Sequence, residues 1–460
     1  MKTNNGWIQI SVSGDSYNIG YQHGIQLASR LKEVYEIFPE ITRLVTNTDI
    51  SVLMKKSNAV IFPIVKNQYP ELYRELEGMV DGAAQQNVKE INVKWLVAWN
   101  SLLSMQSSMS RANNAFRKKN EPTPPALLER CSAFIATGNA TLHGDIVMAH
   151  NTHCDYISAQ FFNIIQYTYP TNGHAFVMQT TPGGLCSGSD FFISASGIVG
   201  NETTIAGITQ SPHFGAPYFC RIRTAMQYGD TLDDYLSIMT ENNAGDYASS
   251  WQFGDTKTGE IMLLELATGT PAVRRTHNGV FYGMNSPMDY NIREKQTDER
   301  NTFNLSKSLG NRRIRLDALL NQKYYGRITV AIAKRVIADH YDTNLSKYEP
   351  NSSTICKHSE TNFQPFGCVD GKAVNSSMAR DLRFYGRFGT SCGKPFIVNQ
   401  FIQTCKPQYR EWGQWMKDRP HQPWSIIRKP KALFSPFSNT KRRRIVSGFS
   451  KSKRRQNIRK

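Results

Sequence analysis

An α+β fold is predicted by three features of the chain. Apolar residues recur at helical spacing through the first hundred positions, residues 131–210 break into short β-branched and aromatic runs, and beyond residue 218 helical stretches alternate with further strand-like runs. Strands interleaved with helix pairs point to a layered core with one mixed sheet system, not to a repeated βαβ winding. No internal repeat is found. A chain of 460 residues, 40% hydrophobic and 11% aromatic, can bury a large core, which excludes a mainly disordered protein. No window approaches the roughly 18 consecutive apolar residues of a membrane span, and the start MKTNNGWIQISVSGDS has no apolar stretch after its lysine. A cytoplasmic location is therefore expected ahead of a secreted or lysosomal one.

The elements follow in order. A strand-like WIQISVSG precedes a helix over residues 17–37, in which Ile19, Ile25, Leu27, Leu31, Val34 and Ile37 recur at helical spacing and which Pro39 is expected to end. Residues 61–80 and 91–105 continue this pattern, so residues 1–106 form a helical segment. Residues 107–130 are polar, basic and rich in proline (Pro122, Pro124, Pro125), as an exposed linker would be. From Cys131 the runs CSAFIATG, GDIVMAH, FFNIIQYTY, HAFVMQT, DFFISASG and TTIAGITQ read as strands of an antiparallel sheet with packed faces. Helices over 218–228 and 232–241, strands over 250–253 and 261–266, and helices near 312–321 and 330–339 fill out a core spanning 131–405. A tryptophan-containing connector covers 406–425.

The charge is concentrated at one end. Of the formal +18, residues 426–460 carry 13 lysines and arginines and no acidic residue, which leaves +5 for everything before them. This tail, with its Lys441-Arg442-Arg443-Arg444 run, is expected to be disordered. It is open to three readings: a solvated end, a contact to nucleic acid or another acidic partner, or a peripheral contact to an anionic membrane. Trp412, Trp415 and Trp424 are placed to dock its root on the core.

Eight cysteines without a CxxC pair do not form a disulfide framework, and buried free thiols are expected for most. Cys131 differs because it stands where the linker meets the first strand of the sheet. Scission between Arg130 and Cys131 would expose an α-amine of pKa about 8, a general base for the adjacent thiol, so that one residue supplies nucleophile and base. The plainer alternative is a core cysteine that opens a strand.

The surrounding segments resemble one group of enzymes. Cys131-Ser-Ala-Phe, then Val147-Met-Ala-His150-Asn151-Thr152-His153, then Gly200-Asn201-Glu202-Thr203-Thr204, then Asn242-Asn243-Ala-Gly-Asp-Tyr247, occur in the order of the N-terminal-nucleophile hydrolases of the phospholipase B-like and acyl-coenzyme A:6-aminopenicillanic acid acyltransferase-like families. Gly20-Tyr-Gln-His-Gly24, Ala338-Asp-His340, Thr354-Ile-Cys-Lys-His358 and Gly389-Thr-Ser-Cys-Gly393 fit the same pattern, so the resemblance spans residues 7–405.

The resemblance implies a four-layer αββα sandwich, made as a precursor that cleaves itself at Arg130-Cys131 into two chains that remain associated. Cys131 would be the nucleophile and its α-amine the base. Asn243 would donate to the oxyanion; the same Asn-Asn-Ala-Gly-Asp segment is also ordinary turn chemistry. His150 and His153 stand where bile-acid-hydrolase-like relatives are expected to carry an Arg and an Asp, and could polarise the thiol or the scissile carbonyl; strand histidines held by hydrogen bonds are the alternative. Asn151, Asn201, Glu202, Thr203 and Tyr247 would support the nucleophile or line the pocket. His150-x-x-His153-Cys154 invites a zinc reading, but no second ligand pair accompanies it, and neither metal nor cofactor is expected.

The function that follows is hydrolysis of an acyl ester or acyl amide, or acyl transfer, through a thioester, with a phospholipid or a small acyl-amide as substrate. The competing function is a catalytically silent scaffold of the same fold that binds nucleic acid or an acidic partner through its basic tail.

Overall fold

The structure is a computed structural model and describes residues 2–105, 131–209, 214–361 and 363–429. The linker at 107–130, with Arg130, and the tail from residue 430 lie outside the described residues. Strands are numbered here in chain order across two sheets. The first sheet runs β1 (Lys2–Asn4), β2 (Trp7–Gly14), β5 (Ile164–Pro170), β6 (Phe176–Thr180), β7 (Phe191–Ser194), β8 (Ile198–Thr204), β9 (Ser249–Asp255), β10 (Glu260–Leu266) and β11 (Ala272–Thr276). The second runs β12 (Gly279–Gly283), β3 (Cys131–Gly138), β4 (Gly144–Asp155), β16 (Asp370–Asn375), β17 (Phe384–Phe388) and β18 (Ser425–Ile427), and β15 (Phe366–Cys368) pairs with the far end of β4. A two-stranded ribbon, β13 (Tyr341–Asp342) and β14 (Lys347–Tyr348), stands apart. Neighbours are antiparallel except β2 and β5, which run parallel because β2 arrives from the N-terminal segment and not through a hairpin.

Both faces of the central strands are apolar, so each sheet is covered twice. Ile135 and Met148 of the second sheet meet Tyr167, Phe191, Val199 and Leu263 of the first in the space between them. On the outer face of the first sheet, Met178 and Leu264 share a core with Leu76, Met79, Ile222 and Met226 of helices Pro70–Gln85 and Tyr218–Tyr228. On the outer face of the second, Phe134 and Val147 pack under Leu316 and Val336 of helices Ser308–Asp317 and Val330–Val336. Each such side chain, fully buried, stabilises the fold by about 1.5–3 kcal/mol. The layering is αββα, with two sheets in place of the single mixed system inferred from strand and helix order.

The N-terminal helices are locked by backbone contact. Gly20 and Gly24 on helix Ser16–Thr46 face Gly78 and Gly82 on helix Pro70–Gln85. A Cβ on Gly20 would collide with the carbonyl oxygen of Glu75, and one on Gly78 with that of Tyr17. The Gly20-x-x-x-Gly24 segment is therefore a close-packing device on a helix far from the nucleophile in sequence.

Several boundaries differ from those expected. The first helix continues through Pro39 to Thr46, because Phe38, Ile41 and Leu44 remain on its buried face and their packing outweighs the hydrogen bond that proline removes. The stretch 61–80 is two helices, Ile50–Gln68 and Pro70–Gln85, parted at Tyr69, the residue before a proline. The run TTIAGITQ is not itself a strand: β8 is Ile198–Thr204, and the chain leaves the sheet at Ile205. Residues 425–427 form edge strand β18 on β17, so residue 426, taken as the start of the tail, is structural, with Ile427 fully buried. Trp412 is buried, and Trp424 lies against Lys334 and Arg387. All eight cysteines are free thiols, and all but Cys392 are buried.

Candidate active site

Strand β3 starts at Cys131, and its register on β4 sets Cys131 opposite Thr152, Ser132 opposite Asn151 and Ala133 opposite His150. Both backbone groups of Cys131 are engaged by side chains. Its N–H donates to Oδ1 of Asn285 at 3.1 Å, and its carbonyl accepts from Nη1 of Arg312 at 2.6 Å. Arg312 is fully buried and also donates to Ser132 Oγ (3.1 Å), the Met284 carbonyl (2.9 Å) and Asn285 Oδ1 (3.1 Å). Asn285 occupies the left-handed region at φ 77°, tolerable for asparagine, and ties Nδ2 to the Thr204 carbonyl at 3.0 Å. A single amide oxygen thus positions the Cys131 nitrogen beside a fixed guanidinium.

The Cys131 thiol, a ring nitrogen of His150 and a carboxylate oxygen of Asp190 all lie within 4.8 Å of one another. Burial pushes the thiol well above its usual range, and the carboxylates of Asp190 and Glu202 add to this, while Lys372 and the His153 backbone oppose it. A base must therefore take its proton for it to react. Burial likewise holds both histidines well below the ordinary imidazole range, helped by Lys372 at His150 and by Arg312 and Lys357 at His153. They are neutral. Nε2 of His150 is 3.0 Å from the Glu202 carbonyl and Nε2 of His153 is 3.0 Å from the Ile355 carbonyl. A carbonyl only accepts, so Nε2 carries the proton in each, and Nδ1, which has no hydrogen-bond partner among the described residues, keeps its lone pair.

Beneath this lies a buried ion pair. Lys372 Nζ is 2.9 Å from Asp370 Oδ1 and donates to Thr152 Oγ1 (2.8 Å) and the Ser189 carbonyl (3.1 Å). Asp370 also accepts from the Thr152 N–H and from Gln179 Nε2. Both charged groups of the pair are hydrogen-bonded, as a buried pair requires, while Gln179 Oε1 has no partner among the described residues.

Glu202 accepts from the Tyr247 hydroxyl at 2.6 Å, and that hydroxyl also meets Thr204 Oγ1 at 2.6 Å. Asn201 is buried, with Nδ2 at 3.4 Å from the Ala149 carbonyl and no partner for Oδ1 among the described residues; Thr203 Oγ1 likewise has none. Asn151 is a pin: it accepts from the Ser132 N–H and donates to the carbonyls of Ile337 and Ile355. Asn243 closes its turn by accepting from the Gly245 N–H at 3.0 Å, and donates to the Ala267 carbonyl after β10 at 2.7 Å. Arg130 is outside the described residues. Asn285, Arg312, Asp190 and Lys372 belong to none of the motifs and come to the site only through the fold. Arg312 left a trace in the sequence, because it falls on the same helical face as Leu309 and Leu316, where an isolated arginine needs a buried partner.

A partly open cleft of about 70 Å³ lies next to the end of β4. Its wall includes Trp99, Leu103, Phe162, Cys186 and Tyr218, together with Cys154 and Asp155, which directly follow His153 on β4.

The fold is the αββα sandwich that the resemblance to N-terminal-nucleophile hydrolases implied, with an inner strand that opens on a buried cysteine. Residues 57–268 match the profile of the family described as Phospholipase B, so this stretch is similar to that family. An uncharacterized protein of Archaeoglobus fulgidus is 25% identical over 283 residues, which make up 59% of this chain and 45% of the relative; the chain thus spans less than half the length of the relative it matches. Among solved structures, a single-residue variant of conjugated bile acid hydrolase from Clostridium perfringens aligns at 9% identity and a TM-score of 0.33, over 67% of this chain and 100% of that one. Penicillin V acylase from Agrobacterium tumefaciens aligns at 10% identity and a TM-score of 0.29, over 56% of this chain and 82% of the other. Among the described residues no helix is long and apolar enough to cross a membrane.

Proposed function

We propose that this chain is a self-processing cysteine hydrolase that cleaves an acyl ester or acyl amide through a thioester. The observation that carries the reading is the clamp on Cys131, in which Asn285 takes its nitrogen and Arg312 its carbonyl. In the uncut chain that nitrogen is an amide and cannot act as a base, so His150 Nδ1 is the acceptor for the thiol proton in the cleavage step. Once the Arg130-Cys131 bond is broken the nitrogen is an amine. One of its N–H bonds is held by Asn285, and the nearby guanidinium favours its neutral form.

The amine then takes the thiol proton and the thiolate attacks the acyl carbonyl. The tetrahedral intermediate collapses as the resulting ammonium protonates the departing amine or alcohol, leaving a thioester on Cys131. Water, deprotonated by the same amine, releases the acid and restores the thiol. Asn243 has two amide hydrogens, one engaged by Ala267, and the second is the proposed oxyanion donor, with Asn201 Nδ2 as the other candidate. The apolar cleft wall of Trp99, Leu103 and Phe162 suits an acyl chain.

The test is to trap the intermediate. Processed protein is mixed with a panel of acyl-amides and lysophospholipids, quenched in acid and mapped by mass spectrometry. An acyl adduct on the peptide that begins at Cys131 supports the reading; turnover without any adduct in the wild type and undiminished in Cys131→Ala contradicts it.

A further inference from the structure

We infer that the chain holds a structural zinc ion between His340, Cys356, His358 and Cys392, a site separate from the Cys131, His150 and Asp190 group. One ligand atom from each of the four lies within 4.8 Å of all the others. Nε2 of His340 and Nε2 of His358 face each other at 2.9 Å, with their rings crossed at 79°, and Cys392 Sγ is 3.3 Å from the same His358 nitrogen. Zinc–nitrogen distances near 2.0–2.1 Å and zinc–sulfur distances near 2.3 Å in a tetrahedron require ligand atoms roughly 3.3–3.8 Å apart, so small side-chain adjustments would suffice. Two thiols and two imidazoles are soft and borderline donors that suit zinc and disfavour magnesium or calcium, which take oxygen. Four protein ligands close the coordination shell, the mark of a structural site and not of a catalytic one.

The ligands come from three separate segments: the stretch after helix Val330–Val336, the 354–358 segment and the turn after β17. Their spacing is unlike a zinc finger, and only the fold brings them together. The middle segment is also the floor of the active site, because the Ile355 carbonyl, one residue from Cys356, accepts from both His153 Nε2 and Asn151 Nδ2. Asn151 in turn holds the Ser132 N–H beside the nucleophile. A metal at this place would fix the loop that orients His153 and the start of β3.

The experiment is metal analysis of the full-length protein, purified under reducing conditions from zinc-supplemented cells. About one zinc per chain is expected. Single Cys356→Ser, Cys392→Ser and His340→Ala variants should each fall to less than about a tenth of that, while Cys405→Ser retains it. Cobalt taken up by apoprotein should show the visible bands of a tetrahedral thiolate site. Wild-type protein that carries no zinc above background and takes up no cobalt after reduction would overturn the inference, whether or not the variants fold. So would a Cys356–Cys392 disulfide that persists in protein made under those conditions.

Discussion

Oδ1 of Asn285 accepts the backbone N–H of Cys131 at 3.1 Å, across 154 positions of sequence. The bond joins the loop after β12 to the first residue of β3 and aims the nitrogen that the proposed chemistry converts into a base. Asn285→Ala removes the acceptor and leaves a non-glycine residue without local compensation at φ 77°. Loss of a hydrogen bond of this kind costs about 1–3 kcal/mol, so turnover by processed enzyme should fall roughly 10- to 100-fold. Steady-state kinetics on processed wild type and variant, with the cleaved fraction matched on gels, measures it.

Arg312 donates to Cys131, Ser132, Met284 and Asn285 from one buried guanidinium. Lysine cannot reproduce that fork. Arg312→Lys should lower the unfolding free energy through unsatisfied carbonyls, and Arg312→Met should do so more strongly, by about 1–3 kcal/mol for each buried acceptor left unpaired. Removing the positive charge also favours the protonated form of a neighbouring amine. The acid limb of kcat/KM in the methionine variant should therefore move to higher pH, a shift that a packing defect alone would not produce.

Three buried histidines make the fold acid-sensitive. The pKa of His23 is held down to about 4 by burial, against the opposing hydrogen bond that its Nδ1–H donates to Gln166 Oε1, and burial also holds His150 and His153 below the usual range. Each has a folded pKa below its unfolded value of about 6.5, so the unfolded state binds protons first. Stability from these residues is complete above about pH 6.5 and is lost as pH falls from there, for His23 down to about 4. Glu75 and Glu265, raised by burial, act in the opposite sense. The comparison is therefore made by difference: urea midpoints at pH 7.5, 6 and 5 should fall less steeply in His23→Gln than in the wild type.

Gly78 sits where the helices Ser16–Thr46 and Pro70–Gln85 touch backbone to backbone. In an exposed helix, Gly→Ala is favourable by about 0.5–1 kcal/mol. Here the added methyl meets the Tyr17 carbonyl, so Gly78→Ala should destabilise by about 1–3 kcal/mol or more, and Gly24→Ala against the Met79 carbonyl should do the same. Denaturant unfolding gives the sign directly.

Much of this architecture could be read in advance because single elements carry their own pattern. CSAFIATG is β3 residue for residue, and Tyr218–Tyr228 is the helix expected there, since β-branched alternation and a 3.6-residue stripe are local properties. The first helix overran Pro39 because its end is decided by packing against the core, which no local signal reports. The same distinction governs the site. Cys131 and His150 lie on adjacent strands and announce themselves as a motif, whereas Asn285, Arg312 and Lys372 reach the nucleophile region from 154 or more positions away. Asn243 stood out for its motif; its amide oxygen closes its own turn and its amide nitrogen ties that turn to Ala267, uses that the residue type allowed equally.

The central claim is that Cys131 becomes an N-terminus and acts through its own amine. N-terminal sequencing of the purified protein, wild type beside Cys131→Ala, tests it most directly. A second chain beginning Cys-Ser-Ala-Phe is expected in the wild type and a single uncut chain in the variant. An uncut wild type that is fully active, or a variant cut at the same bond, would contradict it.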